Sequence, residues 1–384
     1  MDPAGGRGMT VRRPVPEGAT LRSPAELVAH GLAPASDLAV LNQVASRYAV
    51  AVSAAVAELI NPADPNDPIA RQYIPSAREL EISAVERSDP IGDHAHSPVA
   101  GIVHRHADRA LFKLVGVCAV YCRFCFRREM VGPGKDTALS PQAYRAAIDY
   151  IASHSEIWEV ILTGGDPLML SPRRLAEVMA DLAAIDHVKI VRIHSRVPVA
   201  DPARISAELV EALQPKGAAV WMAVHANHPR ELSPSARQAC ALLADAGIAL
   251  VSQSVLLRGV NDDLDTLAAL MRAFVECRIK PYYLHHGDLA HGTAHLRTTL
   301  AEGRELMRQL RGKLSGLCQP EYVLDIPGGY GKAPVGPDYL QMHQDQAGAV
   351  RYQVADHGGE LHAYPPEPEQ QDQPGSAAVQ SSAA

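Results

Sequence analysis

From Leu111 onward, short apolar runs rich in β-branched residues alternate with longer stretches whose apolar positions recur at helical spacing. The runs are LFKLVGV from 111, EVILTGG from 159, VKIVRIHS from 188, AAVWMAVHA from 218, IALVSQSVLL from 248 and KPYYLHH from 280. After the first gap their starts lie about 30 residues apart, the length of one strand plus a returning helix. The pattern predicts six parallel strands joined by right-handed crossovers. A seventh run, EYVLDIP from 321, follows the helix-like RTTLAEGRELMRQLRGKL. Periodicity alone leaves both an open doubly wound sheet and a curved, incomplete barrel. Nearly every run, however, ends in glycine or polar residues: Cys118, Gly164-Gly165-Asp166, His194-Ser195-Arg196, His225, Gln253 and Asp288. Parallel α/β folds carry their chemistry at the carboxyl ends of strands, and a barrel mouth gathers six such ends most directly. The expected fold is therefore α/β, a partial (β/α)6 barrel like an incomplete TIM barrel.

Helical spacing between Ser23 and Leu59 predicts a helical region over 23–100, ahead of a barrel over 101–315 and a C-terminal segment over 316–364 that carries a lysine loop. Residues 1–22 are rich in Gly, Pro and Arg, and residues 365–384 in Pro, Gln, Ser and Ala without apolar periodicity, so both ends are expected to be disordered. With 384 residues, 47% of them hydrophobic and 21% charged, the chain can bury a sizeable core. Its 36 Lys+Arg against 43 Asp+Glu give a net charge of −7, which argues against nucleic acid as the main partner. No apolar run reaches the roughly 18–20 residues of a membrane span, and the start of the chain has no apolar segment of a secretory signal. A cytoplasmic protein acting on a small molecule, with no membrane partner, is the expectation.

Six cysteines are too few for a disulfide scaffold in a chain of this size. Cys240, Cys277 and Cys318 stand alone, whereas Cys118, Cys122 and Cys125 form C-x3-C-x2-C directly after the first strand. Three thiolates in one loop can hold three corners of a cubane iron–sulfur cluster and leave one iron open to a substrate or cofactor. Zinc, with His104 or His106 as a further ligand, and a thioredoxin-like redox pair are the alternatives.

Further on, Asp325-Ile-Pro-Gly328-Gly329-Tyr-Gly331-Lys332 sets a lysine on a loop with three glycines in four positions. Such a lysine has the open approach that an amine needs to join an aldehyde cofactor. A phosphate-binding P-loop does not fit, because Ala333 follows Lys332 where G-x4-G-K-[ST] requires Ser or Thr. A flexible surface loop with a solvated lysine is the plainer reading of this motif taken alone.

The cysteine loop at the end of a first barrel strand, with Phe124 before its last Cys, resembles the radical S-adenosylmethionine superfamily. That resemblance implies a [4Fe-4S] cluster on Cys118, Cys122 and Cys125. Its open iron would chelate S-adenosylmethionine, and Gly164, Gly165 and Asp166 would form the glycine-rich strand end against the methionine amino group. Together with PGGYGK, residues 85–345 resemble the lysine 2,3-aminomutase family. This implies pyridoxal 5′-phosphate on Lys332, with Val103-His104-Arg105-His106-Ala107-Asp108-Arg109 supporting it and Arg105 and Arg109 as candidates for its phosphate. It also implies Arg127 for the substrate carboxylate, Asp288 and Asp325 for a distal ammonium, and His225 and Gln253 for S-adenosylmethionine. The implied reaction is exchange of L-lysine and β-lysine by amino migration, in a homo-oligomer that draws electrons from a donor such as flavodoxin or ferredoxin.

The sequence departs from clostridial members in having no Cys after Cys318 and in placing Asp263 where a ligand of their structural zinc is expected, so that zinc is not expected here. Ala290 likewise stands where some members have a polar residue that assists the pyridoxal. Three other readings are an enzyme supplying β-lysine for modification of a translation elongation factor, an aminomutase for arginine, ornithine or glutamate, and a non-catalytic metal-binding barrel.

Overall fold

The computed structural model describes residues 12–132, 137–344 and 350–365. Two short strands open it, β1 (Thr20–Leu21) and β2 (Val52–Ser53), paired antiparallel, with helices α1 (Pro24–Ala29), α2 (Leu38–Arg47), α3 (Ala54–Leu59) and α4 (Ala70–Tyr73) around them. The expected disordered start is corrected over residues 12–22. Val15 and Leu21 are buried in a small core with Leu27, Val44 and Val56, and Arg12 donates to the carbonyls of Ala57 and Ile60. Residues 1–11 and 366–384, the rest of the expected disordered ends, lie outside the described residues.

The main sheet holds nine strands in the order β11-β10-β9-β8-β7-β6-β5-β4-β3. They are β3 (Ile102–His106), β4 (Arg109–Val115), β5 (Glu159–Gly164), β6 (Ile190–Ser195), β7 (Ala219–Val224), β8 (Ala249–Val255), β9 (Ile279–His285), β10 (Glu321–Asp325) and β11 (Lys332–Pro334). Strands β4 to β10 run parallel in sequence order; the first six, β4 to β9, are those that the spacing of the apolar runs predicts, and β10, from the seventh run, extends the parallel order by one. Both edges are closed by antiparallel strands, β3 on β4 and β11 on β10, which the run pattern does not reveal. The sheet is curled, because its two edges approach one another. Gly331, next to β11, lies so close to His106 of β3 that a Cβ there would stand 3.1 Å from the imidazole.

Crossover helices α5 (Pro141–Ser153), α6 (Pro172–Ala183), α7 (Val197–Ala200), α8 (Ala207–Ala212), α9 (Pro234–Asp245), α10 (Leu264–Glu276) and α11 (Leu300–Lys313) return the chain between strands. Their starts are written locally. Ser140-Pro141, Ser171-Pro172 and Ser233-Pro234 each pair a capping hydroxyl with a proline preset for the first turn. Asp263 caps α10, accepting from the Thr266 N–H at 2.9 Å.

Alternation along the strands separates structure from chemistry. Phe112, Leu162, Ile193, Val224 and Leu284 face the helices and bury fully or almost fully in one core with Ile151, Leu175, Leu243 and Phe274. Burying each such side chain contributes about 1.5–3 kcal/mol. The next residue in each case, Lys113, Thr163, His194 and His285 on their strands and His225 just past the end of β7, takes the opposite face and lines the inside of the curl.

The chain divides into two compact units with the boundary between Gly336 and Pro337, so Lys332 belongs to the unit of the curled sheet. The second unit carries an antiparallel sheet of β12 (Leu340–Gln344), β13 (Val350–Ala355) and β14 (Leu361–Tyr364), also absent from the sequence expectation. Among the described residues no helix is long and apolar enough to cross a membrane.

Candidate active site

Strand β4 ends at Val115, and the cysteine loop that follows is held by its own turns and by a buried acid. Cys125 N–H reaches the Cys122 carbonyl (3.2 Å) and Arg128 N–H the Cys125 carbonyl (3.3 Å). Arg123, between the second and third cysteines, is 1% exposed and grips both oxygens of Glu79 (3.0 and 3.1 Å from Nε), while Arg128 donates to the same carboxylate. Burial works against the charge on Glu79, yet the two arginines hold its carboxyl below the usual range. Breaking such a buried pair costs several kcal/mol, so the loop has one fixed course.

All three thiols are pushed up by burial, Cys122 to about 11 and Cys118 well above the usual value. As free thiols they hold their protons. Metal binding would displace those protons, and the thiolate charge would then sit in the field of Arg196, Arg123, Arg127 and Arg128. Among the described residues no three His, Cys, Asp or Glu side chains converge on a single ion, and His104 is turned away onto Tyr150 (2.9 Å). A multi-iron cluster, whose ligands bind different irons, suits this donor set better than mononuclear zinc.

Beside the loop, Arg196 donates from Nη1 to Glu231 (2.9 Å) and to the Tyr73 hydroxyl (2.5 Å), and lies 5.2 Å from the Phe124 ring. Glu231 is fixed in turn by the N–H groups of Asn227 (2.7 Å) and His228 (2.9 Å).

The glycines at the end of β5 answer to the cysteine loop itself. Gly164 has φ +110°, and a Cβ on Gly165 would stand 2.3 Å from the Val117 carbonyl oxygen. Asp166 accepts from Ser195 Oγ (2.8 and 3.0 Å), Arg196 N–H (2.8 Å) and Leu168 N–H (3.1 Å), so its carboxylate braces the end of β6.

Across the curl, Lys332 donates to Asp325 Oδ1 at 2.7 Å, and its side chain is 33% exposed, within reach of a cofactor. Its loop packs on the segment before β3. His96 Nε2 lies 3.1 Å from the Gly329 carbonyl oxygen, and Gly92 (φ +71°) lies so close that a Cβ would stand 2.4 Å from Gly329 N. Gly92→Ala should therefore displace the lysine loop and destabilise the fold by about 1–3 kcal/mol, measured as a lower denaturant midpoint. Burial lowers the His106 pKa first, and the charges of Arg109, Arg105 and Lys332 lower it further. This is a cluster of positive charge suited to a phosphate. Within it the Arg105 Nε is buried without a partner among the described residues, whereas Arg109 is committed to Asp108 at 2.7 Å on the exposed hairpin turn. These residues fit a phosphorylated aldehyde, with Lys332 as the amine and Arg105 and His106 beside the phosphate.

Arg127 is not free. Its Nε and Nη2 both reach Asp93 Oδ2 (3.0 and 2.9 Å) and its Nη1 reaches Thr163 Oγ1 (3.3 Å). Asp93 also lies 3.4 Å from Arg105, so this buried carboxylate joins the expected carboxylate-binding arginine to the expected phosphate-binding one. Asp93 sits in a loop with no periodic signal, and sequence reading does not find it. His285 was also missed as a site residue. It lies between Gln253 and Asp325, and strand alternation could have placed it in the lumen. His225 and Gln253 bond to each other at 3.2 Å. Burial, and then the charge of Asp325, push Asp288 up to about 7. His194 also faces the lumen, and its Nε2 is buried without a partner among the described residues.

Residues 112–271 match the radical SAM superfamily, and residues 307–382 match the family described as Lysine-2,3-aminomutase. The chain is 45% identical over 282 residues to L-lysine 2,3-aminomutase of Clostridium subterminale, covering 73% of this chain and 67% of that one. It is 44% identical over 282 residues to the L-lysine 2,3-aminomutase of Acetoanaerobium sticklandii, covering 73% and 68%. Glutamate 2,3-aminomutase of Clostridioides difficile is 37% identical over 300 residues, covering 78% and 70%.

Proposed function

The chain belongs to the lysine 2,3-aminomutase family of radical S-adenosylmethionine enzymes, and from that premise we propose that it moves the amino group of L-lysine from carbon 2 to carbon 3, giving β-lysine. The cofactors of the reading are a [4Fe-4S] cluster on Cys118, Cys122 and Cys125, S-adenosylmethionine, and pyridoxal 5′-phosphate on Lys332. When bound, these groups supply the radical and the electron delocalisation that the migration needs. An external reductant such as flavodoxin or ferredoxin completes the requirement.

The remaining work falls to the protein's own side chains. Arg123, Glu79 and Arg128 fix the thiol loop, and Asp166 fixes the strand end beside it. Arg127, itself aligned by Asp93 and Thr163, presents a guanidinium for the substrate carboxylate. Asp325 and Asp288 receive a distal ammonium. Lys332 now holds Asp325 with its own ammonium, and once its amine is engaged elsewhere that carboxylate becomes free for the substrate's.

The observation that carries the choice of lysine is the Asp288–Asp325 pair inside the curl. A distal carboxylate would meet two acids there, whereas an ammonium balances them. The similarity to a glutamate 2,3-aminomutase makes glutamate the second reading. Anaerobic protein given S-adenosylmethionine, pyridoxal phosphate and a reductant should form β-lysine from lysine and leave glutamate unchanged. Preferential turnover of glutamate would overturn the assignment.

A pH dependence follows from Asp288. With its pKa near 7, the carboxyl is largely protonated at pH 6 and largely ionised at pH 8, so KM for lysine should fall roughly tenfold between them. Stability moves the other way. A carboxyl raised from 3.8 to about 7 binds more protons folded than unfolded in that window, so the ligand-free fold loses stability as pH rises through it. Asp288→Asn should flatten both profiles, measured by initial rates and by thermal melting.

A further inference from the structure

One continuous line of hydrogen bonds crosses the inside of the curl from β7 to β11. His225 Nε2 lies 3.2 Å from Gln253 Oε1, Gln253 Nε2 lies 2.8 Å from His285 Nε2, His285 Nδ1 lies 3.1 Å from Asp325 Oδ2, and Lys332 Nζ lies 2.7 Å from Asp325 Oδ1. Chemistry sets the direction of each bond. A carboxylate only accepts, so His285 donates from Nδ1, and its Nε2 is left to accept from the Gln253 amide. The amide oxygen of Gln253 then accepts from His225. One tautomer of His285 satisfies the whole line, and burial favours the neutral imidazole that this tautomer requires.

The two oxygens of Asp325 are thereby divided. Oδ2 is pinned by His285, and Oδ1 is presented to the ammonium of Lys332. Gln253 makes no bond to Asp325 or Lys332, so its influence on them runs through the imidazole.

We propose that His285 is a positioning residue that aims Asp325 Oδ1 at the ammonium it must hold, and that Gln253 sets this aim by fixing the tautomer of His285. The inference rests on the reading above, in which Asp325 receives first the ammonium of Lys332 and then that of lysine. It does not require either residue to touch the reacting atoms.

The test uses full-length anaerobic protein carrying its cluster and pyridoxal phosphate, without S-adenosylmethionine, so that no contact to that cofactor enters. The readout is the visible absorbance of the Lys332-linked pyridoxal and its change on titration with lysine. His285→Leu removes both bonds and should raise the half-saturating lysine concentration about ten- to hundredfold, the size of a lost hydrogen bond to a charged group. His285→Asn places an amide donor where Nδ1 stood and should stay within about threefold of wild type. Gln253→Leu should weaken lysine several-fold in the wild-type background and have no further effect beside His285→Leu, a non-additivity that marks one shared path. If His285→Leu fails to fold, His285→Gln, whose amide reaches the Nε2 position instead, takes its place and should behave as the leucine variant was expected to. Wild-type titration by His285→Leu, failure of His285→Asn to rescue, or additivity of the two leucine variants would overturn the proposal. Wild-type protein with no lysine-responsive chromophore would instead overturn the pyridoxal reading on which it rests.

Discussion

Lys332→Ala abolishes lysine isomerisation, by on the order of a thousandfold or more, while the iron content and the paramagnetic signal of the reduced cluster remain. The size of the effect comes from three losses at one position. On the proposed reading the amine that tethers the aldehyde is gone, so the cofactor would be held only through its phosphate, by Arg105 and the neutral His106. The loop of Gly328, Gly329 and Gly331, all at positive φ, no longer has a side chain to deliver. The ammonium that lowers the pKa of both Asp325 and Asp288 is removed, so both carboxyls move upward. The last point adds a signature that loss of tethering alone does not give, readable on protein without pyridoxal phosphate, where wild-type Lys332 still carries its ammonium: the pH at which lysine binding strengthens should lie above the wild-type value near 7. Anaerobic assays with amino-acid analysis measure the first effect, and titration of lysine binding against pH the second. Full isomerisation by Lys332→Ala would remove this residue from the chemistry.

Cys122→Ser should be equally severe by a different route. Serine keeps the shape of the side chain but is a poor ligand for iron, and with two thiolates left the loop cannot hold a cubane at three corners. Iron content, the paramagnetic signal and turnover should all be lost. The fold should survive, because the loop is fixed by Arg123, Glu79 and Arg128 and not by the sulfur. The pyridoxal chromophore should persist in Cys122→Ser, as the cluster should persist in Lys332→Ala. That crossed pattern is the strongest check on the two-site reading. Loss of both signals in either variant would mean that the two sites do not form independently, and retained iron in Cys122→Ser would mean that the cysteine loop was misread.

Much of the barrel could be read from the chain because its signals are local. A strand buried on one side by helices shows as a short apolar run, and a helix start shows as Ser-Pro, so β4 to β10 and several caps are legible residue by residue. The edge strands β3 and β11 are not, since Ile102–His106 is half polar and Lys332–Pro334 is three residues long. The exposed second sheet, from Leu340 to Tyr364, has no large core to impose a clear apolar pattern.

The same division runs through the site. C-x3-C-x2-C, TGGD and PGGYGK are compact strings, so the sequence alone determined the candidate thiols, the positions of backbone freedom and the candidate amine. Only the tertiary structure decided who holds them. Glu79 lies 44 positions before Arg123, Asp93 lies 34 before Arg127, and His285 lies 40 before Asp325, yet each pair is in contact. The last pair forms because β10 lies parallel beside β9, and the other two because the segment before the sheet packs onto the cysteine loop; which distant segments come to lie side by side is settled by the packing of the whole fold and is written in no single stretch of the chain.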